Sequence, residues 1–310
     1  MLLNILAIYV LAQGLAVAQN LTDVPWPNSF PKQLAAVRRR QGLTTSEFTY
    51  HHAIVHGRKS WNAPDSVDQP LAYVQDHVFD SAYGINTTAN HAHVNYFGHN
   101  DMTELYSRSE EAFATPPPNN YTATVIGPDG NAFNDVSCSI NMFGREVFYE
   151  VKDTCQPSGS STTFNAFYWV FANASNANTS SFDNTTFAAP IMRNLLAAFS
   201  PGTIYNASVH TSVPGLESRS YYGGFNNPTL NAVLKFWLCD DYSAVAAFRN
   251  AQLGLISQND ELGINLDQSF VIFTRAVLIY DRSTNTPFDT DRVAQALRAN
   301  RFRDTVGGPP

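Results

Sequence analysis

Apolar and polar positions along this chain fall into blocks that read as strands and helices, and the series of blocks runs twice. Residues 32–39 are short and apolar in the middle, which predicts a strand. Leu43-Thr44-Thr45-Ser46-Glu47 then supplies a helix start, with Thr44 or Thr45 as N-cap and Glu47 in the first turn. Phe48, His52 and His56 recur at i, i+4 and i+8 and so share one face of a helix that ends near Gly57. Residues 71–79 and 91–97, rich in aromatic and branched side chains, predict strands, and residues 101–106 either continue the second or pair with it. A second helix opens at residues 109–113 and is interrupted or ended by Pro116-Pro117-Pro118, and residues 137–148 form the closing strand. The order is βαββαβ, the ferredoxin-like unit.

Residues 156–162 are turn-forming, and beyond them the pattern restarts with strands at 164–171, 230–238 and 269–280 and helices at 188–199 and 243–248. The segments before the two closing strands, 128–135 and 259–267, also match, each read as a turn opened by an Asp. A ferredoxin-like sheet carries helices on one face and must cover the other. The expectation is an α+β fold of two tandem ferredoxin-like units, 31–152 and 164–283, joined by a 153–163 linker and packed as an intramolecular dimeric α+β barrel. A C-terminal tail with a short helix, 284–310, follows. Phe167, Trp169, Phe171, Phe270, Val271 and Ile272 are expected to offer the covering face, which leaves the chain a monomer. Two separate domains joined at 156–162 are the alternative.

Composition narrows the partners. With 19 Lys and Arg against 26 Asp and Glu, the net charge is −7, which argues against nucleic acid and anionic membranes, both bound through excess positive charge. Arg38-Arg39-Arg40, the one basic run, reads as a solvated strand edge. Residues 1–18 are apolar and end in Ala16-Val17-Ala18, the pattern of a secretory signal cleaved before Gln19. The alternative, a membrane anchor, is opposed by a run shorter than the ~20 residues that span a bilayer. Seven Asn-x-Ser/Thr sequons, at Asn20, Asn86, Asn120, Asn173, Asn178, Asn184 and Asn206, accompany this signal and predict a glycosylated, secreted protein. Three cysteines allow one internal bridge; Cys155 with Cys239 is the expected pair and Cys138 the buried free thiol.

The run from Gly42 to Gly57, with Gly42-Leu43, Glu47-Phe48 and a helix ending in His56-Gly57, resembles the signature of the EthD family. Tyr73-Val74-Gln75-Asp76-His77, Asp101-Met102-Thr103-Glu104-Leu105 and the Pro128 to Asp135 segment are similar to the strands and closing turn of that family. The likeness spans roughly residues 31–150, and the second half lacks the helical His-Gly and the strand His. Fungal EthD proteins are associated with dehydration, decarboxylation or aromatising cyclisation of phenolic polyketides, so the resemblance implies that substrate class. Most such proteins are short, cytosolic and homodimeric, and many carry an aromatic residue where His52 stands, so this chain departs from them.

Seven of the eight histidines lie between His51 and His99. Elimination of water or CO₂ needs one base and one acid, and two imidazoles can supply both. His56 and His77 are the expected pair. Tyr73 shares strand parity with His77 and can hydrogen-bond an enolate; His52 lies on the same helix face as His56. Asp101 and Glu104 differ in parity, so one at most faces the cleft; Glu104 is the expected orienter of a His and Asp101 a turn residue. His91-x-His93 could hold a metal but lacks a third ligand at recognisable spacing, so an exposed strand edge is the favoured reading and no metal or cofactor is expected. No Gly-x-Ser-x-Gly elbow appears. The sequence therefore points to a secreted, cofactor-independent lyase acting on a phenolic or polyketide-like molecule, with a non-catalytic small-ligand-binding protein as the rival. N-terminal sequencing of the secreted protein should begin at Gln19, and a mature chain that retains Met1 contradicts the signal assignment.

Overall fold

A computed structural model describes residues 31–64, 69–84, 97–110, 112, 121–152, 155, 163–173, 183–213, 230–240 and 242–304. The signal segment, the sequons at Asn20, Asn86, Asn120 and Asn178, the His91-x-His93 segment, the triple proline and residues 156–162 lie outside the described residues.

Eight strands form one closed antiparallel barrel: β1 (Pro31–Val37), β2 (Ala72–Tyr83), β3 (Asp101–Tyr106), β4 (Ile140–Tyr149), β5 (Phe164–Val170), β6 (Ile204–Ser212), β7 (Ala232–Leu238) and β8 (Phe270–Asp281). Around the barrel the order is β4-β1-β3-β2 followed by β8-β5-β7-β6. Adding four to each strand of the first run gives the second. Pairing of β2 with β8 and of β4 with β6 closes the seams, so none of these eight strands is left as a free edge.

Helices cover the outside. Helix α1 begins as Thr45–Tyr50, widens to a π-helical segment at His51–His56, where Gly57 N–H reaches back to the His52 carbonyl, and ends as Gly57–Trp61. Its start is the expected one: Thr44 Oγ1 accepts from Glu47 N–H at 3.2 Å and Glu47 Oε2 accepts from Thr44 N–H at 2.7 Å, a complete capping box. Helix α2 joins Thr122–Ile126 to Gly127–Phe133, α3 is Asn184–Ala198, α4 is Tyr242–Gly254 and α5 is Thr290–Asp304. Ile191, Leu195 and Phe248 from α3 and α4 pack on Phe164, Tyr168, Phe236 and Phe273. Ala53 and Ile54 of α1 and Val293 of α5 pack on Tyr73, Val277, Ile279 and Tyr280.

The barrel interior has an apolar zone, in which Leu34, Ala36, Met102, Ile140 and Met142 meet Phe167, Trp169, Phe171, Phe270 and Ile272. Trp169 and Phe270 stack there with centroids 5.5 Å apart. Val271 departs from expectation: its neighbours Phe270 and Ile272 point inward, so alternation sends it to the outer cluster under α3 and α4.

Other departures have similar causes. Strand β6 went unread because its inward positions Ser208 and His210 are polar although fully buried. Residues 128–133, read as a turn, are helical and continue directly from the π-helical Thr122–Ile126 segment. The strand expected from Ser137 starts at Ile140, after a 3₁₀ turn at Val136–Cys138. The basic run is engaged and not a bare edge: Arg38 pairs with Asp135, and Arg40 Nη1 donates to the Asn131 carbonyl at 3.1 Å. The C-terminal helix is docked, since Arg292 donates to the carbonyls of Leu278 at 2.6 Å and Ile279 at 2.7 Å. Cys155 and Cys239 are bonded, with Cα atoms 6.1 Å apart, and Cys138 is free and buried. Among the described residues no helix is long and apolar enough to cross a membrane.

Because Trp169 is fully buried, Trp169→Ala should lower the unfolding free energy by about 3–5 kcal/mol in urea melts. A loss below about 1 kcal/mol contradicts a packed interior.

Candidate functional site

Helix α1 lies across the outer face of β2 and β3. Antiparallel register sets Tyr73, Gln75 and His77 opposite Leu105, Thr103 and Asp101, so these odd-numbered residues share the helix side of the sheet. Met102 and Glu104 face the lumen instead.

His52, only 2% exposed, is the centre of a sealed relay. Its Nδ1 lies 3.0 Å from Asp101 Oδ2 and its Nε2 lies 2.9 Å from the Tyr73 hydroxyl. Gln75 Nε2 donates to the Tyr73 oxygen at 2.7 Å and to the His52 carbonyl at 3.0 Å, which locks both rings. His77 Nδ1 approaches the same Asp101 oxygen at 3.3 Å. Burial sets the protonation: it drives the His52 imidazolium, already repelled by His56 and His51, well below the ordinary histidine range and pushes the Tyr73 phenol well above its own. Burial also pushes the Asp101 carboxyl up to about 7, against the pull of His77.

A second, more open cluster forms where α1 meets α2. Asp129, in the first turn of the Gly127–Phe133 segment, accepts from His56 Nδ1 through Oδ2 at 2.8 Å. Its Oδ1 takes His51 Nε2 at 3.0 Å and the Lys59 ammonium. Burial alone would raise this carboxyl, but hydrogen bonds from His56, Lys59 and His51 hold it well below the usual carboxylate range. The His56 side chain remains 14% exposed, and its Nε2 has no hydrogen-bond partner among the described residues. Phe133 roofs the cluster, stacked on His52 with centroids 4.5 Å apart and edge-on to His56 at 5.0 Å.

The structure thus gathers His52, His56, Tyr73 and His77 around α1 and β2, but His56 and His77 rest on different carboxylates. Glu104 is a correction. It points into the barrel, where Lys235 Nζ at 2.7 Å and Lys32 Nζ at 3.1 Å hold it, and Asp101 takes the orienting role because alternation turns it toward α1. His51, read as a solvated residue, is bonded to Asp129. Asp129, Gln75, Thr103 and Phe133 were not singled out; the Pro128-Asp129 pair, read as a helix start, is the signal that finds Asp129. His99 lies elsewhere, buried against Tyr83 and Phe270. Among the described residues no group of three or more His, Cys, Asp or Glu is arranged to hold a metal. A surface depression of 460 Å³ between Trp61 and Phe288 includes none of the histidines.

No family model matches the chain, and no curated protein matches its sequence. Among solved structures the chain is similar to an anthrone oxidase-like protein, at 8% identity and a TM-score of 0.48, over 83% of this chain and 95% of that one. It is also similar to a mutant chlorite dismutase from Candidatus Nitrospira defluvii, at 8% identity and a TM-score of 0.42, over 82% of this chain and 93% of that one. The barrel architecture given above is read from the strand order itself.

The buried imidazoles make stability depend on pH. Burial holds His52 neutral and takes His99 down to about 3, whereas an unfolded histidine protonates near about 6.5. The unfolded chain therefore binds protons that the fold refuses, and stability falls as pH drops below about 6.5. Asp101 acts oppositely, since a carboxyl at about 7 in the fold weakens stability as pH rises through about 4 to 7. His210, which burial also lowers, joins the imidazoles, and Asp76, which burial also raises, joins Asp101; three imidazoles outweigh two carboxyls, so urea midpoints should be lower at pH ~4.5 than at pH ~6.5, and His99→Gln should shrink the difference. Equal midpoints in the parent protein contradict this.

Proposed function

We propose that this protein is a cofactor-independent lyase, a dehydratase, decarboxylase or cyclase of a phenolic or polyketide-like molecule, that uses His56 as its base. The observation that carries the reading is the Asp129–His56 pair: the carboxylate Oδ2 lies 2.8 Å from Nδ1, where it accepts that proton and leaves Nε2 open to a substrate. In that arrangement Nε2 removes a proton from carbon or from a hydroxyl or carboxyl group, Asp129 stabilises the resulting imidazolium, and the same proton is returned to the departing hydroxyl in a dehydration or cyclising condensation, or to the enolate carbon once CO₂ has left in a decarboxylation. Tyr73, backed by His52 and Asp101, is the hydrogen-bond donor for an enolate oxygen once Phe133 yields the space above it. His77 anchors Asp101 and so positions this relay. The substrate class follows the EthD resemblance, and with it we read the barrel as two ferredoxin-like units in one secreted, glycosylated monomer.

A non-catalytic ligand-binding role is the second reading. It is favoured by the sealing of His52 and Tyr73, whose polar atoms satisfy one another beneath Phe133.

Turnover of phenolic β-hydroxy or β-keto candidates, followed by mass analysis, tests both. His56→Ala and Asp129→Asn should each reduce turnover by about 100-fold or more without changing the circular dichroism spectrum. Full activity in both variants overturns the assignment, and unchanged phenol recovered in stoichiometric complex with the parent protein favours the binder.

A further inference from the structure

The charged zone of the barrel interior takes no part in that chemistry, and the two halves supply it unequally. Asp76, Glu104 and Glu146 come from β2, β3 and β4, and each is 3% exposed or less. Lys235 and His210 come from β7 and β6, both fully buried. Among the described residues every carboxyl group in this zone belongs to the first half, and each takes a bond from the second. Lys235 Nζ donates to Glu104 Oε1 at 2.7 Å. His210 Nε2 lies 3.0 Å from Glu146 Oε1, to which Ser208 Oγ donates at 2.7 Å. Asn165 Nδ2 donates to Asp76 Oδ1 at 2.7 Å and Thr274 Oγ1 does so at 3.2 Å. Lys32, the one first-half cation of this zone among the described residues, bridges Glu104 at 3.1 Å and Glu146 at 2.7 Å.

The asymmetry follows the repeat of strand order. Matching each strand with the one four later sets β3 against β7 and β2 against β6. Glu104 on β3 then has Lys235 on its counterpart, and Asp76 on β2 has His210 on its counterpart. At these two positions one half presents an acid to the lumen and the other a base.

We infer that the lumen faces of the two halves are electrostatic complements, so that the first half is built to pair with the second half of this chain and to reject a second copy of itself. Two first-half faces would seal two sets of Asp76, Glu104 and Glu146 against only two Lys32 side chains. Burial and the nearby Glu104 push the Asp76 carboxyl well above its usual range, and the glutamates alone already outnumber the lysines. Two second-half faces would bury two sets of Lys235 and His210 without the Glu104, Glu146 and Asp76 that face them here. Uncompensated charge in a closed interior is strongly disfavoured, so both like pairings are opposed while the unlike one is satisfied.

The test uses the whole chain cut within residues 156–162 and reduced, because the Cys155–Cys239 bridge spans the cut. After unfolding and refolding, native mass spectrometry should find unlike pairs in more than 100-fold excess over like pairs. Like pairs at the statistical 1:2:1 share overturn the inference. A second arm keeps the claim falsifiable if the cut chain does not refold: in the intact chain Glu104→Lys and Lys235→Glu should each lower Tm by 10 °C or more or prevent folding, and the double exchange should regain over half of the loss. A double variant no better than the single ones overturns the inference as well.

Discussion

The pleat of a closed barrel sends every second side chain inward, and this constraint decides which charged groups can meet. Asp101 and Glu104 sit three residues apart on one six-residue strand, yet they serve different ends of the molecule. Asp101 faces α1 and gathers His52 and His77; Glu104 faces the lumen and gathers Lys32 and Lys235. Both are fully buried, so neither can exist without partners on its own side. The opposite pKa directions of the two carboxyls, Asp101 up to about 7 and Glu104 down to about 2, follow from this division: burial acts on both, but only Glu104 is offset by two lysines.

The widened segment of α1 adds a second constraint. Residues five apart in a straight α-helix point about 140° away from each other, which would carry His51 and His56 to different faces. The π-helical segment at His51–His56 adds a residue to the turn and brings both imidazoles onto Asp129. His52, four residues before His56, is left on the sheet side against Tyr73.

Much of this was legible in the chain. The capping box at Thr44, the i, i+4 spacing of His52 and His56, the parity of Tyr73 with His77 and the inward aromatic row of Phe167 and Trp169 are local periodicities, and they read directly. What escaped was set by tertiary partners. Nothing around Glu104 announces Lys235, which stands 131 residues away, so its turn away from the histidines emerged only with the barrel. Strand β6 hid because its inward side is polar, and that polarity has a physical reason only once Glu146 lies opposite His210 and Ser208. Asp129 was passed over because Pro128 was read as a turn residue when it lies within the helical segment that carries the carboxylate to His56.

The proposed role of His56 requires that Asp129 hold its Nδ1 proton and leave Nε2 as an open base. Nitrogen-15 NMR of the imidazole in its neutral state tests this most directly. The expected result is the Nδ1–H tautomer for His56, with a bare Nε2, and loss of that preference in Asp129→Asn. A neutral His56 that carries its proton on Nε2 in the parent protein would contradict it.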